Sequence, residues 1–215
     1  MLVYKHFKGR EDWLAGRKKF PGIGASEAAA IVGASNWQSP LDLWKLKVGL
    51  KEPKDLSDNE YVQYGTKAEE HIRQLFMLKH EEFDLDYKQF DFLYQKERPW
   101  LRCTLDGELI YPDGERGILE IKTAAIQSKS QYAQWRDQIP DHYLVQVIHQ
   151  FLATGYSFAY LTAELMFMDG TSSLRTYYFR AEDYEDEMDW LLEKEEIFWE
   201  HVQNKTPPSA QLFLG

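Results

Sequence analysis

Asp106, Glu120 and Lys122 stand out within CTLDGELIYPDGERGILEIKT, residues 103 to 123. Two apolar runs flank a Pro112-Asp113-Gly114 turn signal, the pattern of a β-hairpin. Yet the second run, Ile118-Leu119-Glu120-Ile121-Lys122, sets a carboxylate and an ammonium among branched apolar residues, and unpartnered charge is costly to bury. Side chains alternate along a strand, so Glu120 and Lys122 share one face while Leu119, Ile121 and Thr123 take the other. Folding back around residues 113–114 brings Asp106 approximately opposite Glu120 or Ile121. Neighbouring carboxylates repel unless they share a proton or a cation. A hard divalent ion such as Mg²⁺ resolves the repulsion, because its sites use one or two carboxylates completed by water and phosphate. A lysine beside such an ion can orient the attacking water, while the ion lowers that water's pKa and offsets phosphate charge. In outline this is the chemistry of phosphodiester hydrolysis. The same residues also suit a solvated hairpin face with cross-strand ion pairs, and this stretch alone leaves both readings open.

Two helices are expected to bring further groups. In YGTKAEEHIRQLF the apolar stripe runs Gly65, Ala68, Ile72, Leu75 and Phe76, and Glu69 lies on it, whereas Glu70, Arg73 and Gln74 fall on the polar side. An inward glutamate needs a partner, and a metal site would supply one. In HYLVQVIHQFLA, Leu144, Val147, Ile148 and Phe151 form the buried stripe, leaving Gln146, His149 and Gln150 opposite. That helix follows the charged strand and could present Gln146 to the site; His149, with no second ligand at metal spacing, is read as exposed.

The positioning elements read in order as follows. Short helices cover DWLAGRKKF, SEAAAIVG (capped by Ser26, ended by Gly33) and SPLDLWKLKVG (capped by Ser39). A long helix over SDNEYVQYGTKAEEHIRQLFMLKH, with a break near Gly65, precedes a three-stranded antiparallel run over about 87–95, 101–110 and 117–123. Helices over IQSKSQYAQW and PDHYLVQVIHQFLAT, strands over about 158–168 and 174–180, and an acidic helix complete the chain. This order predicts an α/β or α+β sheet with helices packed on its faces. No repeat or low-complexity linker interrupts it, so one domain over 1–215 is expected, with the motifs in about 12–155 and strands plus the acidic helix in about 156–205.

Composition narrows the class. Hydrophobic residues make up 44% and aromatics 15%, which suits a packed core. No run approaches the roughly 18 apolar residues of a membrane span, and the start carries no signal-peptide pattern, so a cytoplasmic protein without a membrane partner is expected. Cys103 is the single cysteine, which excludes an internal disulfide framework and any multi-cysteine metal or iron–sulfur site. Net charge is −10, but residues 181–200 hold ten acids against one lysine. The first 22 residues lean basic through Lys5, Lys8, Arg10, Arg17, Lys18 and Lys19. Overall acidity therefore leaves room for a local nucleic-acid surface.

Gly65 and Glu69 on a helix, LDG on a strand, LEIK on the next and QVIHQFLAT on the following helix resemble the PD-(D/E)xK nuclease superfamily. WLAGRKKFPGIGASEAAAIVG narrows the resemblance, over residues 12 to 155, to the YqaJ-type viral recombinase (lambda-exonuclease-like) family. The namesake proline is absent, Leu105 standing before Asp106. The resemblance implies an α/β restriction-endonuclease-like core, a central mixed sheet flanked by helices, with Asp106, Glu120 and the Ile121 carbonyl as metal ligands. It implies Lys122 as the group that orients and activates water, Glu69 reaching the metal through water, and Gln146 assisting. It further implies two Mg²⁺ ions, with Mn²⁺ able to substitute, and a 5′-phosphate site at Ser26 with Arg17 or Lys19. The implied activity is 5′-to-3′ digestion of one strand of duplex DNA to 5′-mononucleotides, leaving a 3′ overhang for a single-strand annealing protein. A homotrimer encoded by a phage or prophage in a bacterial host is the implied setting. A restriction-type endonuclease of the same superfamily and a non-catalytic DNA-end binding module are the rival readings. Trp13 and Trp37 are weighed as strand-separating wedges, with core packing preferred for both.

Overall fold

In the computed structural model, which describes residues 1–209, the longest strand is also the one that carries the charges. The elements run β1 Leu2–His6, α1 Arg10–Lys19, β2 Ile23–Gly24, α2 Ala25–Ile31, α3 Pro40–Lys47, α4 Glu60–Met77, β3 Asp84–Asp86, β4 Asp91–Gln95, β5 Leu101–Cys103, β6 Gly107–Ile110 and β7 Arg116–Ile126. They continue with α5 Lys129–Ala133, α6 Asp141–Thr154, β8 Phe158–Phe167, β9 Ser172–Arg180, a 3₁₀ turn at Ala181–Tyr184 and α7 Glu185–Gln203. A five-stranded mixed sheet has the order β3-β6-β7-β8-β9, and a four-stranded one has β1-β4-β5-β2.

The expected central sheet is therefore two sheets. The expected strand over 101–110 breaks at 104–106: β5 pairs with β4 in one sheet, and β6 with β7 in the other. Asp106 sits in that break. Strands β1, β2 and β3 carry too few residues or too little alternation to stand out in the sequence, and pairing partners distant in the chain decide them.

Strand β7 pairs in parallel with β8 from Gly117↔Phe158 to Ile126↔Phe167. Parallel neighbours need a crossover, and α6 supplies it. A strand buried by helices reads as a continuous apolar run, and Ile118, Leu119, Leu161, Ala163 and Leu165 are all fully or nearly fully buried. The core on one side joins β7 and β8 to Val147 and Phe151 of α6; the other packs Ala68, Ile72 and Phe76 of α4 against Leu119, Ile121 and Phe158. Among the described residues no helix is long and apolar enough to cross a membrane.

Helix α4 runs unbroken through Gly65, contrary to the expected interruption. A Cβ at 65 would lie 3.0 Å from Thr123 Oγ1, so the glycine lets α4 close onto β7. Leu75, placed on the apolar stripe by spacing, is 48% exposed, while Arg73 is buried. Ser39 caps α3 as expected, accepting from the Asp42 amide. Ser26 does not cap α2: Gly24 holds that position, and its amide donates to Glu27 Oε2 at 2.7 Å.

A Cβ at Gly117 would fall 2.2 Å from the Phe158 ring, which is fully buried and packed against Phe83 and Tyr111. Gly117→Ala is expected to destabilise the fold by about 1–3 kcal/mol through overpacking, read as a lower denaturant midpoint with an unchanged m-value.

Candidate active site

Glu120 is 3% exposed, yet its carboxylate is not stranded. Helix α6 returns across the sheet with Gln146 and Gln150 one turn apart on the same face. Gln146 Nε2 donates to Glu120 Oε1 and Gln150 Nε2 to Oε2, both at 2.5 Å. Lys122 Nζ, on the same face of β7, donates to Oε1 at 2.6 Å. Three donors, one of them charged, replace the water this group loses.

Asp106 approaches from the break before β6. Its Oδ2 accepts from the Ile121 amide at 2.8 Å, and Arg73 Nε donates to the Asp106 carbonyl at 2.7 Å. Arg73 itself lies over the Tyr87 ring, 3.6 Å from its centroid. Burial, then the neighbouring Glu120 charge, push the Asp106 carboxyl up to about 8, with Lys122 opposing. Burial disfavours the Lys122 ammonium, but Glu120 and Asp106 outweigh it and hold the amine above its ordinary range. Glu69 is also raised, by burial first and by Glu120, with Arg73 and Lys122 acting against.

A cleft of about 950 Å³ opens along this edge, and Trp37, Glu69, Ile121, Lys122, His142 and Tyr143 line it. Glu120 stands behind Lys122, whose Nζ lies 5.1 Å from the Tyr143 ring centre. Among the described residues no three His, Cys, Asp or Glu side chains form a metal cage by themselves. A Mg²⁺-type site asks for less, one or two carboxylates with water and phosphate. Asp106 accepts one bond on Oδ2, and Glu120 accepts three of the four or so that a carboxylate can take. In a strand, N–H and C=O of one residue point to the same edge, so the Ile121 carbonyl faces the Asp106 side, which β6, beginning at Gly107 opposite Leu119, does not cover. Unused acceptor capacity and an acid forced toward its neutral form fit a hard cation.

The structure thus brings Asp106, Glu120, Ile121, Lys122 and Gln146 together and sets Glu69 on the adjoining wall. It does not bring Ser26, Arg17 or Lys19 to the cleft lining. Ser26 is exposed, and Arg17 Nη2 stands 3.9 Å from Oε1 of its neighbour Glu27. Lys19 faces another pocket, with Lys5 and Arg102. Gln146, His149 and Gln150, opposite the apolar stripe of α6, are all buried, which corrects the reading of His149 as exposed. Trp13 packs on Phe92, but Trp37 is 75% exposed on the cleft rim, its ring edge against His142.

Sequence reasoning missed Gln150 and Arg73. Each lies four residues beyond a residue it singled out, Gln146 and Glu69, and i,i+4 spacing alone could have found both. It also missed the pairing of Lys47 Nζ with Glu27 Oε2 at 2.6 Å. Burial opposes the Glu27 charge, yet Lys47, the Gly24 amide and Arg17 together hold the carboxyl below its ordinary range.

The acidic segment also has an inner face. Glu195 of α7 is fully buried, and its Oε1 lies 2.6 Å from His149 Nδ1. His149 Nε2 stands 3.0 Å from the Arg102 carbonyl. Both oxygens only accept, so a doubly protonated ring satisfies both, and the His149 pKa is raised despite burial because of Glu195.

Removing one partner leaves the other as a buried unpaired charge, so Glu195→Ala is expected to cost about 3–5 kcal/mol in chemical denaturation. Asp106 gives a pH signature. Its folded pKa is about 8 against an ordinary 3.8, so the unfolded chain loses this proton first. The stability it contributes is full below about pH 4 and is lost as pH rises toward about 8. In EDTA, the fall of melting temperature across that window should be shallower in Asp106→Asn than in the native protein, and parallel curves would contradict the assignment.

The comparisons with known proteins accord with this geometry. The family described as YqaJ-like viral recombinase domain matches residues 12–157. The uncharacterized protein YqaJ of Bacillus subtilis (strain 168) is 31% identical over 141 residues, covering 65% of this chain. The match spans 41% of that relative's own length. Among solved structures, the alkaline exonuclease of Laribacter hongkongensis superposes with a TM-score of 0.63 at 14% identity, over 92% of this chain and 94% of that one. Its complex with dAMP gives 0.64 at 15% identity, with the same coverage. A phage-related exonuclease from Haemophilus somnus 129PT gives 0.54 at 11% identity, over 86% and 96%. At these identities the structural matches speak for the fold, and the sequence match for the lineage: the chain belongs to the YqaJ-like viral recombinase domain family.

Proposed function

We propose that this protein is a Mg²⁺-dependent DNA exonuclease that digests one strand of duplex DNA from its 5′ end. It releases 5′-mononucleotides and leaves a 3′ single-stranded overhang. The observation that carries the reading is Asp106 bonded to the Ile121 amide and Glu120 paired with Lys122, Ile121 and Lys122 lining one cleft, in a chain of this family.

Asp106, Glu120 and the Ile121 carbonyl would hold Mg²⁺, with Glu69 as a further carboxylate on the cleft wall. When bound, the ion would offset phosphate charge and make water acidic enough to attack near neutral pH. Lys122, held as an ammonium, orients the incoming water by donating to it and lends positive charge beside the phosphodiester. Gln146 and Gln150 fix the Glu120 carboxylate through both oxygens, so its direction does not depend on Lys122 alone. Exposed Ser26 with Arg17 remains our assignment for the 5′ phosphate; Lys19, turned to another pocket, leaves that assignment. The proposed setting is a homotrimer in the cytoplasm of a bacterial host, phage- or prophage-encoded, acting ahead of a single-strand annealing protein.

The test is digestion of linear duplex, with and without a 5′ phosphate, in Mg²⁺ and in EDTA, beside a nicked circle. Linear DNA should be consumed only with Mg²⁺ and faster when 5′-phosphorylated, and no second cut should open the circle. Lys122→Met should slow digestion by about 10²–10⁴-fold while keeping DNA binding. Undiminished digestion after chelation would refute the reading, and cutting within the circle would favour an endonuclease.

A further inference from the structure

A second pocket, of about 330 Å³, opens where β1, the end of α1, β4 and the start of β5 meet the last turns of α7. Lys5, Lys19 and Arg102 line it together with Phe20, Trp100 and Trp199, and it shares no lining residue with the cleft. None of the residues lining it is acidic. In a chain of net charge −10 three cations gather here with no acid in the lining, Glu27 acting on Arg102 from outside the pocket. Arg102 is anchored, its guanidinium donating to the Phe20 and Arg17 carbonyls and lying 4.7 Å from the Phe92 ring centre. Lys5 Nζ sits 2.9 Å over the Phe20 ring, and Lys19 Nζ lies 5.8 Å from the same ring. Burial, then Lys19 and Arg102, lower the pKa of Lys5, so the amines repel one another here. The aromatic walls are available as well: Phe20 is 41% exposed, and Trp199 is part-exposed, stacked on Trp100 at 6.0 Å and 14°.

We propose that the Lys5–Lys19–Arg102 pocket is a second nucleic-acid contact that takes one nucleotide of a single DNA strand, its phosphate against the two ammoniums and its base against the Phe20 and Trp199 rings. Repulsion among converged cations is relieved by an anion, and none of the pocket's own residues supplies one. A bare anion would leave the rings unused, whereas a nucleotide brings a charge and a π-face a few ångströms apart. Sequence-tolerant strand binding combines these two features, cations along the backbone and aromatic platforms for bases. The ligand class rests on the nuclease reading; the geometry of the pocket does not.

The test uses Glu120→Gln full-length protein, so that the strand stays intact, titrated with a short oligothymidylate while tryptophan fluorescence is followed. Binding should quench the signal, and Trp199→Phe should remove most of that change. The Lys5→Ala/Lys19→Ala double variant should bind at least about tenfold more weakly. With about 0.7 per phosphate contact on a single strand and one phosphate held by the two ammoniums, its log–log salt slope should be shallower by about 0.7. Unchanged affinity and slope in the double variant overturn the proposal, as does full quenching in Trp199→Phe. Displacement of the oligonucleotide by polyglutamate as readily as by unlabelled strand also overturns it, assigning the pocket to acidic protein segments. Digestion of linear duplex by the unmodified protein, run alongside in Mg²⁺, separates the two readings. Active digestion with unaltered strand binding sinks the pocket alone, while absent digestion sinks the nuclease and leaves the binding result to decide the pocket.

Discussion

A carboxylate in the middle of a buried strand is the constraint around which this molecule is arranged. Glu120 sits on β7 between Leu119 and Ile121, both nearly sealed from water, and an ionised acid there costs several kcal/mol unless polar groups replace its hydration. One donor comes from two residues along the same strand, and two come from α6. Helix α6 can reach because β7 and β8 are parallel, and a parallel pair obliges the chain to cross back over the sheet. The register of that crossover is then fixed from both ends. Val147 and Phe151 pack on the sheet while Gln146 and Gln150 meet one carboxylate. Chemistry and fold share the same contacts.

The acids of the interior differ in how completely they are satisfied, and the difference separates structural from reactive roles. Glu108, nearly buried, accepts from Tyr4, Tyr156 and Arg116 and thereby ties β1 of one sheet to β6 of the other. Asp106 accepts a single backbone bond beside two other carboxylates and is driven toward its protonated form. Perturbed acids of this kind gather where a cation or proton is used. The irregular segment between β5 and β6 that creates this state is itself braced, since Arg73 reaches from α4 to the Asp106 carbonyl.

Charge is also sorted over the surface. The acidic residues concentrate in α7, whose inner face buries Leu191, Glu195 and Phe198 against the rest of the protein. The basic residues near the start of the chain meet Arg102 around an acid-free pocket. A net charge of −10 therefore describes the sum and not the fields a strand of DNA would meet.

The sequence alone determined the charged strand, the opposing acid and the helix that follows them. Period-two alternation, a Pro-Asp-Gly turn and a 3.6-residue stripe are local properties, and they were enough to bring Asp106, Glu120 and Lys122 together. It also determined lineage, through the order of short motifs. Tertiary structure alone decided which polar faces are interior. On α6, His149 and Gln150 look like a solvated side until β7, β5 and α7 close over them. On α4, Arg73 and Leu75 exchange their expected places because a buried carbonyl outbids an apolar contact for that position. It decided as well that residues 101–110 split between two sheets, and that Lys19 turns from Ser26 toward Lys5. Pairings across dozens of residues depend on which surfaces meet, and no local spacing encodes that.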